Sequence, residues 1–415
     1  MYFCTIMQLH CKYYTFLSCM LIHRTLSESV VEYLRHFPVT VITGPRQSGK
    51  TTLSRSVFGN EVPYFNLEDP DTRLFAEQDA RGFLNSCGER AILDEIQRVP
   101  SLFSFLQSHT DNNPAFRFLL TGSHNFDLMA SITQSLAGRA GLLTLLPFSN
   151  PELQEAGIPP TDLETACWQG GYPRIFSQDM PPKLLYPNYV HTYIERDVRQ
   201  IKNIGDISSF LRFIKLCAGR AGQLLNLSSL ALDCGIAVNT AKAWISVLEA
   251  GYIVYLLKPH HQNFSKRLVK MPKLYFYDTG LLCYLLEIDN SKQLQTHYAK
   301  GAIAENFVIN ELMKAYFHRG IHHPPLFFWR DHRGLEIDCI IEHNGKLRAI
   351  EIKSGSTISD SFFSTLQSWQ KITGFPAEEC IVVYGGEGSQ KRTVASVLGW
   401  RNTFEVVRDI VPGRG

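Results

Sequence analysis

The sequence lacks a strong excess of either charge. Across its 415 residues, 41 basic residues stand against 39 acidic ones, and the formal net charge is +2. This balance excludes a protein-wide basic field for nucleic acid, so such binding would need a local patch. Hydrophobic residues make up 45% and charged residues 19%, as in an ordinary globular protein. The length predicts about three domains.

Paired cysteines and long apolar runs are also missing. The ten cysteines are scattered without a Cys-x-x-Cys pair, which argues against a structural zinc site. Reduced thiols in the cytoplasm are the simplest interpretation. No run of about twenty apolar residues is present to cross a membrane. Near the N-terminus, Gln8, His10 and Lys12 interrupt an apolar segment, and no signal-peptide cleavage site follows.

Hydrophobic patterning predicts an α/β protein whose N-terminal part contains a parallel sheet, because short strands alternate with helical segments. A helix is predicted at Leu26–His36, and strands are predicted at Val39–Thr43, Tyr64–Leu67, Ala91–Leu93, Phe116–Thr121 and Leu142–Leu146. The proline-containing stretch Pro147–Pro160 is predicted to break this pattern. Helices should dominate from Leu163 to about Ala250, and strands with hairpin turns should return from Phe327 to Gly385.

The segment from Gly44 to Thr51 matches the full phosphate-loop pattern between a strand and a helix. Glycines in such a loop let backbone N–H groups point at phosphates. Lys50 is predicted to reach the β- and γ-phosphates of ATP, and Thr51 to place its hydroxyl on Mg²⁺. The predicted nucleotide-binding residues of the loop are Gly44, Pro45, Arg46, Gln47, Ser48, Gly49, Lys50, Thr51 and Thr52.

Downstream segments carry candidate catalytic residues. Asp94 is predicted to hold Mg²⁺ and Glu95 to act as the general base on water, although an apolar strand can also end in a solvated acidic turn. After the next strand, Ser123 or Asn125 could sense the γ-phosphate or belong to a turn. Arg139 could act on the transition state of a neighbouring subunit, which requires a homo-oligomer, or form a structural salt bridge.

These segments resemble one family, the AAA-type ATPases of bacteria and archaea that carry a C-terminal domain of unknown function. The matching segments are Ile42–Leu53, Ile92–Gln97, Leu120–Ser123, Ser135–Arg139, Gly170–Pro173, Tyr193–Asp197 and Tyr275–Leu281. The resemblance spans roughly residues 24 to 400. It implies ATP use and an AAA architecture, but it does not imply a particular biological task.

The middle of the chain is predicted to form a winged helix-turn-helix. Leu227–Ala231 and Thr240–Ala250 are predicted helices, and a strand follows Gly251. The second helix offers one cation, Lys242, whereas base-reading helices usually carry Arg or several Lys. The following loop is more basic, with Lys258, Lys266, Arg267, Lys270 and Lys273. These residues could hold phosphates without sequence specificity or form a solvated wing; we favour protein packing or weak DNA binding over operator recognition.

Near the C-terminus, Asn344-Gly345 is a strong hairpin signal between two alternating segments. This turn places Asp338 opposite Glu351 and puts Lys353 on the same face. Facing carboxylates repel each other, and a divalent cation such as Mg²⁺ or Mn²⁺ would remove that repulsion. The alternative is an amphipathic hairpin with a charged solvent face.

The pattern of Asp338 followed by Glu351-x-Lys353 resembles the core of restriction-endonuclease-like nucleases, although the customary proline before the aspartate is replaced by Ile337. The resemblance implies catalytic roles for Asp338, Glu351 and Lys353, with metal bound by Asp338 and Glu351. Glu336, on the same face, and Glu305, on the preceding predicted helix, are expected near the rim of this site.

The predicted organisation has four parts. Residues 1–23 are predicted to be a tail, or to result from a start codon that was assigned too early. Residues 24–185 are predicted to form an AAA-type ATPase domain and residues 186–285 a helical and winged-helix region. Residues 286–415 are predicted to form a restriction-endonuclease-like α/β domain. The leading hypothesis is an ATPase that drives a nuclease-like domain on DNA or RNA. The alternative is an ATPase switch that docks protein partners in signalling, defence or regulation.

Overall fold

The computed structural model describes residues 21–408 except residues 60, 114, 124–131, 133, 195–206, 261–268 and 344. Several residues singled out above lie outside the described part. They are the first twenty residues of the predicted tail, the candidate sensor Asn125, residues 195–197 of the segment Tyr193–Asp197, the basic residues Lys266 and Arg267, and Asn344 of the predicted turn.

The N-terminal part is a parallel sheet with the strand order β2-β3-β4-β1-β5, as the alternating pattern predicted. Its strands are β1 (Val39–Thr43), β2 (Tyr64–Asn66), β3 (Arg90–Asp94), β4 (Arg117–Thr121) and β5 (Ala140–Thr144). The accompanying helices are α1 (Leu26–His36), α2 (Lys50–Phe58), α3 (Pro70–Gln78), α4 (Ala80–Ser86) and α5 (Leu102–Asn112).

Two apolar clusters cover the two faces of this sheet. Val39 and Val41 of β1 join the cluster that contains α4 and α5, whereas Ile42 joins Leu26 of α1 and Leu53 of α2 on the other face. Every residue of β1 is buried, as expected for a parallel strand covered on both sides. Because the carboxyl ends of parallel strands lie at the same edge of the sheet, the phosphate loop after β1 is on the same side as the carboxyl ends of β3 and β4.

The stretch Pro147–Pro160 was expected to break the pattern, but it contains a short helix, α6 (Asn150–Glu155). Ser149 and Glu152 form a reciprocal capping box, and proline stands in the first turn, where its missing N–H is harmless. The next helices are α7 (Leu163–Gln169), α8 (Pro173–Ser177) and α9 (Pro182–Tyr189).

The middle region contains helices α10 (Ile207–Ala218), α11 (Leu227–Cys234) and α12 (Val238–Ala250), followed by the antiparallel strands β6 (Val254–Leu257) and β7 (Lys273–Phe276). The two helices and the strand that follows them occur in the predicted order, and the winged-helix assignment itself stays a prediction. Helices α13 (Thr279–Leu285), α14 (Ser291–Thr296) and α15 (Lys300–Phe317) follow. Within the described residues, no helix has the length and apolarity needed to span a bilayer.

The C-terminal part is a mixed sheet with the order β12-β13-β11-β10-β9-β8. Its strands are β8 (Leu326–Arg330), β9 (Glu336–His343), β10 (Lys346–Lys353), β11 (Cys380–Tyr384), β12 (Gln390–Lys391) and β13 (Ser396–Gly399). The helices are α16 (Ser364–Thr373) and α17 (Glu405–Arg408). One apolar cluster runs from Leu146 through the middle region to Val407, so the middle and C-terminal parts share a core.

The β9–β10 register agrees with the turn predicted at Asn344-Gly345. Lys346 pairs with His343, and the pairing continues to Ile350 opposite Cys339. Gly345 has a φ of +77°, which suits glycine in a tight turn. Beyond this pair, the backbone N–H of Ile352 in β10 donates to Asp338 Oδ2 of β9 at 2.8 Å. The Asp338 side chain therefore forms a hydrogen bond between the two strands.

Candidate functional site

The phosphate loop is closed around the side chain of Lys50. Its Nζ donates to the carbonyl oxygens of Gly44 at 3.1 Å and Pro45 at 2.8 Å, and the residue is 6% exposed. Burial lowers the pKa of Lys50 to about 8, although the negative charges of Glu95 and Asp94 act to raise it. A Cβ on Gly44 would lie 2.2 Å from the Leu145 carbonyl oxygen, so this position requires glycine.

Asp94 accepts hydrogen bonds from hydroxyl groups on three neighbouring elements, at the edge of the sheet where the parallel strands have their carboxyl ends. Its Oδ2 accepts from Thr51 Oγ1 at 2.7 Å and from Tyr64 OH at 2.6 Å, while Thr121 Oγ1 donates to Oδ1. The structure therefore brings together Thr51 and Asp94, the two residues predicted to hold Mg²⁺. A hydroxyl beside a carboxylate is the hard oxygen pair that Mg²⁺ prefers, so these residues fit that ion.

Glu95 lies directly after β3 with a φ of 56°, which is uncommon for a residue other than glycine and often marks a functional position. Gln97 Nε2 donates to Glu95 Oε2 and, at 3.2 Å, to Ser123 Oγ. Ser123 Oγ in turn lies 3.4 Å from Glu95 Oε2. The predicted base and the predicted sensor are thus neighbours, and Gln97, which received no role from sequence, joins them.

Arg139 lies at the opposite edge of the sheet, immediately before β5. Its guanidinium forms a two-point ion pair with Asp111 of α5, with N–O distances of 2.6 and 3.0 Å, and the pair is partly exposed. The structural salt bridge considered above is therefore present. Any action of Arg139 on ATP would have to reach a different subunit, and that role stays a prediction.

Arg24 is a functional candidate that sequence reasoning missed. Its guanidinium donates to the carbonyl oxygens of Ser48 at 2.8 Å and Leu146 at 2.6 Å and to Glu152 Oε1 at 3.0 Å. Burial would raise the pKa of Glu152, but Arg24 and His318 lower it to about 2. A buried cation thus binds the backbone of the phosphate loop at Ser48 and is itself paired with a carboxylate that stays ionised.

A cavity of about 710 Å³ opens above the phosphate loop. Its floor is formed by loop residues including Lys50 and Thr51, and Glu95 borders one side. The other walls come from Ile22 before α1 and from Pro173 and Arg174 of α8, in the segment Gly170–Pro173 noted above. The size suits a nucleotide-sized ligand.

A second group of charged residues lies where the C-terminal sheet meets α15 and β7. Carboxylate oxygens of Glu305, Glu336 and Asp338 lie within 4.8 Å of one another. Lys273 Nζ lies 2.9 Å from Glu305 Oε1 and also pairs with Glu336, which forms a further ion pair with Arg330. The sequence placed Glu305 and Glu336 near the rim; in the structure they stand beside Asp338 itself.

Glu351 and Lys353 border the same cluster. Lys353 Nζ lies 2.6 Å from Glu351 Oε1, and Glu351 is 3% exposed. Burial raises the pKa of Asp338 well above its usual value, and the neighbouring carboxylates of Glu351 and Glu305 raise it further. Burial also raises the pKa of Glu351, against the lowering effect of Lys353. The predicted trio Asp338, Glu351 and Lys353 therefore shares one electrostatic environment.

Lys273 corrects one element of the predicted basic loop. The sequence grouped it with exposed cations that could hold phosphates, but it is 1% exposed and paired with carboxylates. From the first position of β7, opposite Leu257, its ammonium reaches Glu305 of α15 and Glu336 of β9. Lys258 and Lys270, from the same group, are exposed.

Family models match three parts of the chain. Residues 36–154 match an AAA domain, residues 160–292 a domain of unknown function (DUF8612), and residues 300–401 another domain of unknown function (DUF4143). The chain is 34% identical over 383 residues to uncharacterized protein Rv2008c of Mycobacterium tuberculosis and to uncharacterized protein Mb2031c of Mycobacterium bovis, covering 89% of this chain and 82% of each relative. The chain belongs to the family of these mycobacterial proteins.

Solved structures give more distant likenesses. The Walker-type ATPase PABY2304 of Pyrococcus abyssi is 15% identical, covers 64% of this chain and 96% of its own, and has a TM-score of 0.44. Thermotoga maritima RuvB is 17% identical, covers 55% of this chain and 88% of its own, and has a TM-score of 0.31. The predicted AAA-type ATPase domain is confirmed by the family match, and the C-terminal sheet belongs to a domain whose function is unassigned.

Proposed function

We propose that this chain binds Mg²⁺–ATP at the phosphate loop and hydrolyses it. The observation that carries this proposal is the convergence of Lys50, Thr51, Asp94 and Glu95 at one edge of the parallel sheet, under a nucleotide-sized cavity. These are the cation, the two metal-side oxygens and the base that phosphoryl transfer needs.

Each residue has a distinct task in this proposal. Lys50 and the loop N–H groups would bind the β- and γ-phosphates, and Thr51 and Asp94 would hold Mg²⁺, which would supply charge neutralisation there. Glu95 accepts a proton from the attacking water. Gln97, in contact with both Glu95 and Ser123, keeps the carboxylate turned toward the end of β4, where a γ-phosphate sensor would lie.

Changing Glu95 to Gln tests this assignment. The amide keeps the size of the side chain but cannot accept the proton, so ATP should bind with unchanged affinity while phosphate release falls by at least a hundredfold. Glu77→Gln, on the exposed face of α3, is the matched control and should behave like wild type. Wild-type turnover by Glu95→Gln would show that Glu95 is a turn residue.

We further propose that the ATPase drives the C-terminal domain as a nuclease-like unit acting on DNA or RNA. The support is the joint environment of Asp338, Glu351 and Lys353, whose carboxylates could hold Mg²⁺ or Mn²⁺, and a bound cation would activate water for attack on a phosphodiester. A self-associating ATPase would in addition allow Arg139 to act across a subunit interface.

The second candidate function is an ATP-dependent switch whose C-terminal domain docks protein partners. It is favoured by one specific observation, namely that Lys273 already neutralises the carboxylates of Glu305 and Glu336. Carboxylates that are already paired with a buried lysine can hold their positions without a metal. In that case, partner binding rather than cleavage would be the output of the ATPase cycle.

Incubation with labelled DNA and RNA separates the two candidates. The purified chain is assayed with Mn²⁺ or Mg²⁺, with and without ATP, beside Asp338→Ala as the control for contaminating nucleases. Cleavage that Asp338→Ala abolishes supports the nuclease. Equal cleavage by both proteins, or none by either, contradicts it and leaves the docking switch as the better account.

A further inference from the structure

The cluster around Asp338 contains more negative charge than a buried site can hold unaided. Carboxylates of Glu305, Glu336 and Asp338 converge within 4.8 Å, and Glu351 acts on Asp338 from the adjacent strand. Like charges at this separation repel strongly at low dielectric, and the folded chain must either protonate them or supply a cation.

Lys273 supplies that cation from a different part of the fold. Its ammonium lies 2.9 Å from Glu305 and also contacts Glu336, although the residue is 1% exposed. Burial lowers the pKa of Lys273, but the fields of Glu305, Glu336 and Asp338 outweigh burial and raise it above its usual value. The ammonium therefore stays charged at any physiological pH and occupies the cation position of the cluster.

The cluster retains capacity for a stronger cation. Glu351 Oε2 is buried and makes no close hydrogen bond with the described residues, although the Thr365 side chain acts on this carboxyl group and lowers its pKa. A single octahedral Mg²⁺ binds oxygens at about 2.1 Å, so oxygens on opposite sides of the ion lie about 4.2 Å apart. Adjacent oxygens lie about 3.0 Å apart on such an ion, and three ligands include at least two adjacent pairs, so binding would draw the carboxylates closer together than the 4.8 Å within which they now lie. Lys273, Arg330 and Lys353 pair with Glu305, Glu336 and Glu351, so within the described part of the chain the charge of Asp338 is the one without its own basic partner.

Strand β7, which carries Lys273, pairs with β6, and the segment just before β6 contacts β1 next to the phosphate loop. Strand β7 pairs with β6, with Lys273 opposite Leu257. Just before β6, Tyr252 OH lies 3.1 Å from Thr43 Oγ1, and Thr43 is the last residue before the phosphate loop. The β6–β7 pair therefore lies next to the end of β1, from which the phosphate loop begins, and contacts the carboxylate cluster at its other end.

We propose that Lys273 is a tethered competitor for a divalent cation: its ammonium keeps the site formed by Glu305, Glu336 and Asp338 closed, and its removal opens that site to Mg²⁺ or Mn²⁺. The inference rests on the C-terminal metal site proposed above. The inference adds Lys273 as the residue that regulates this site. It also enlarges the set of metal ligands, because Glu305 and Glu336 join Asp338.

Calorimetric titration of Mn²⁺ into the full chain tests the competition. Lys273→Met removes the ammonium and keeps an unbranched side chain that is one atom shorter, and it should bind Mn²⁺ at least tenfold more tightly than wild type. Adding Asp338→Asn to Lys273→Met should abolish the gain. Lys314→Met is the matched control, since Lys314 is a buried lysine that pairs with Glu311 outside this cluster, and it should leave Mn²⁺ affinity unchanged.

Thermal melting distinguishes an opened metal site from a general folding defect. In EDTA, both Lys273→Met and Lys314→Met should melt below wild type, because each leaves a buried carboxylate without its partner. Added Mn²⁺ should restore the melting temperature of Lys273→Met alone. Restoration of both variants, or of neither, contradicts the competition.

The outcomes also separate this inference from the metal site itself. Equal Mn²⁺ affinity in wild type and Lys273→Met, lost in both on adding Asp338→Asn, would overturn the competition and keep the metal site. Absence of any Asp338-dependent Mn²⁺ binding in Lys273→Met would overturn both.

Discussion

Replacing Arg24 with alanine should destabilise the folded chain by about 3 kcal/mol. The guanidinium is 6% exposed and its contacts reach Glu152, Ser48 and Leu146. Removing one partner of a buried ion pair costs about 3–5 kcal/mol because the other charge stays buried. The lower end applies here, since Glu152 keeps hydrogen bonds from the backbone N–H groups of Thr25 and Ser149, each at 2.9 Å.

Equilibrium unfolding in urea, followed by tryptophan fluorescence at pH 7, measures this loss. The double variant Arg24→Ala/Glu152→Gln should recover at least about 1 kcal/mol of it, because the uncompensated carboxylate is gone. The affinity for Mg²⁺–ATP should fall in both variants, since the Ser48 carbonyl loses its anchor. A single variant within about 1 kcal/mol of wild type, or a double variant no more stable than the single one, would refute the reasoning.

Two further outcomes are expected. Arg139→Ala should lower ATP turnover without weakening ATP binding, and mixing it with Glu95→Gln should restore activity; no rescue, with a monomer seen by light scattering, would assign Arg139 to its salt bridge with Asp111. Burial lowers the pKa of His318 from 6.5 to about 4, so the unfolded chain takes up this proton first and stability should fall by about 3 kcal/mol between pH 6.5 and pH 4. His318→Gln should flatten that part of the stability profile in urea titrations, and an unchanged slope would show that His318 is not its source.

The ATP site was largely predictable because its parts are contiguous in sequence. The phosphate loop is one segment, and Asp94 and Glu95 end a single strand, so local pattern alone placed them at the edge of a parallel sheet. Arg24 was not predictable in this way, since its partner Glu152 lies 128 residues away. Only the tertiary fold, which places the segment before α1 beside Glu152 of α6, brings the two together.

The C-terminal cluster shows the same limit. A turn signal and strict alternation fixed the β9–β10 register, which is confirmed as far as Ile350 opposite Cys339. Lys273 belongs to another sheet, and neither charge nor periodicity indicates that a lysine at the start of β7 points inward. By contrast, helix α6 had a readable signal in Ser149-x-x-Glu152, which was overlooked because the prolines nearby were interpreted as breaks.

Calorimetric titration of Mg²⁺–ATP into the wild-type chain and into Lys50→Ala is the most direct test of the proposal that the phosphate loop is an ATP site. Wild type should bind saturably, and Lys50→Ala should bind at least tenfold more weakly, a loss of about 1.4 kcal/mol or more, because alanine removes the ammonium that would bind the β- and γ-phosphates. Lys346→Ala, at an exposed position in β10, should bind as wild type does. Equal affinity in wild type and Lys50→Ala, or no binding by wild type, would contradict the account.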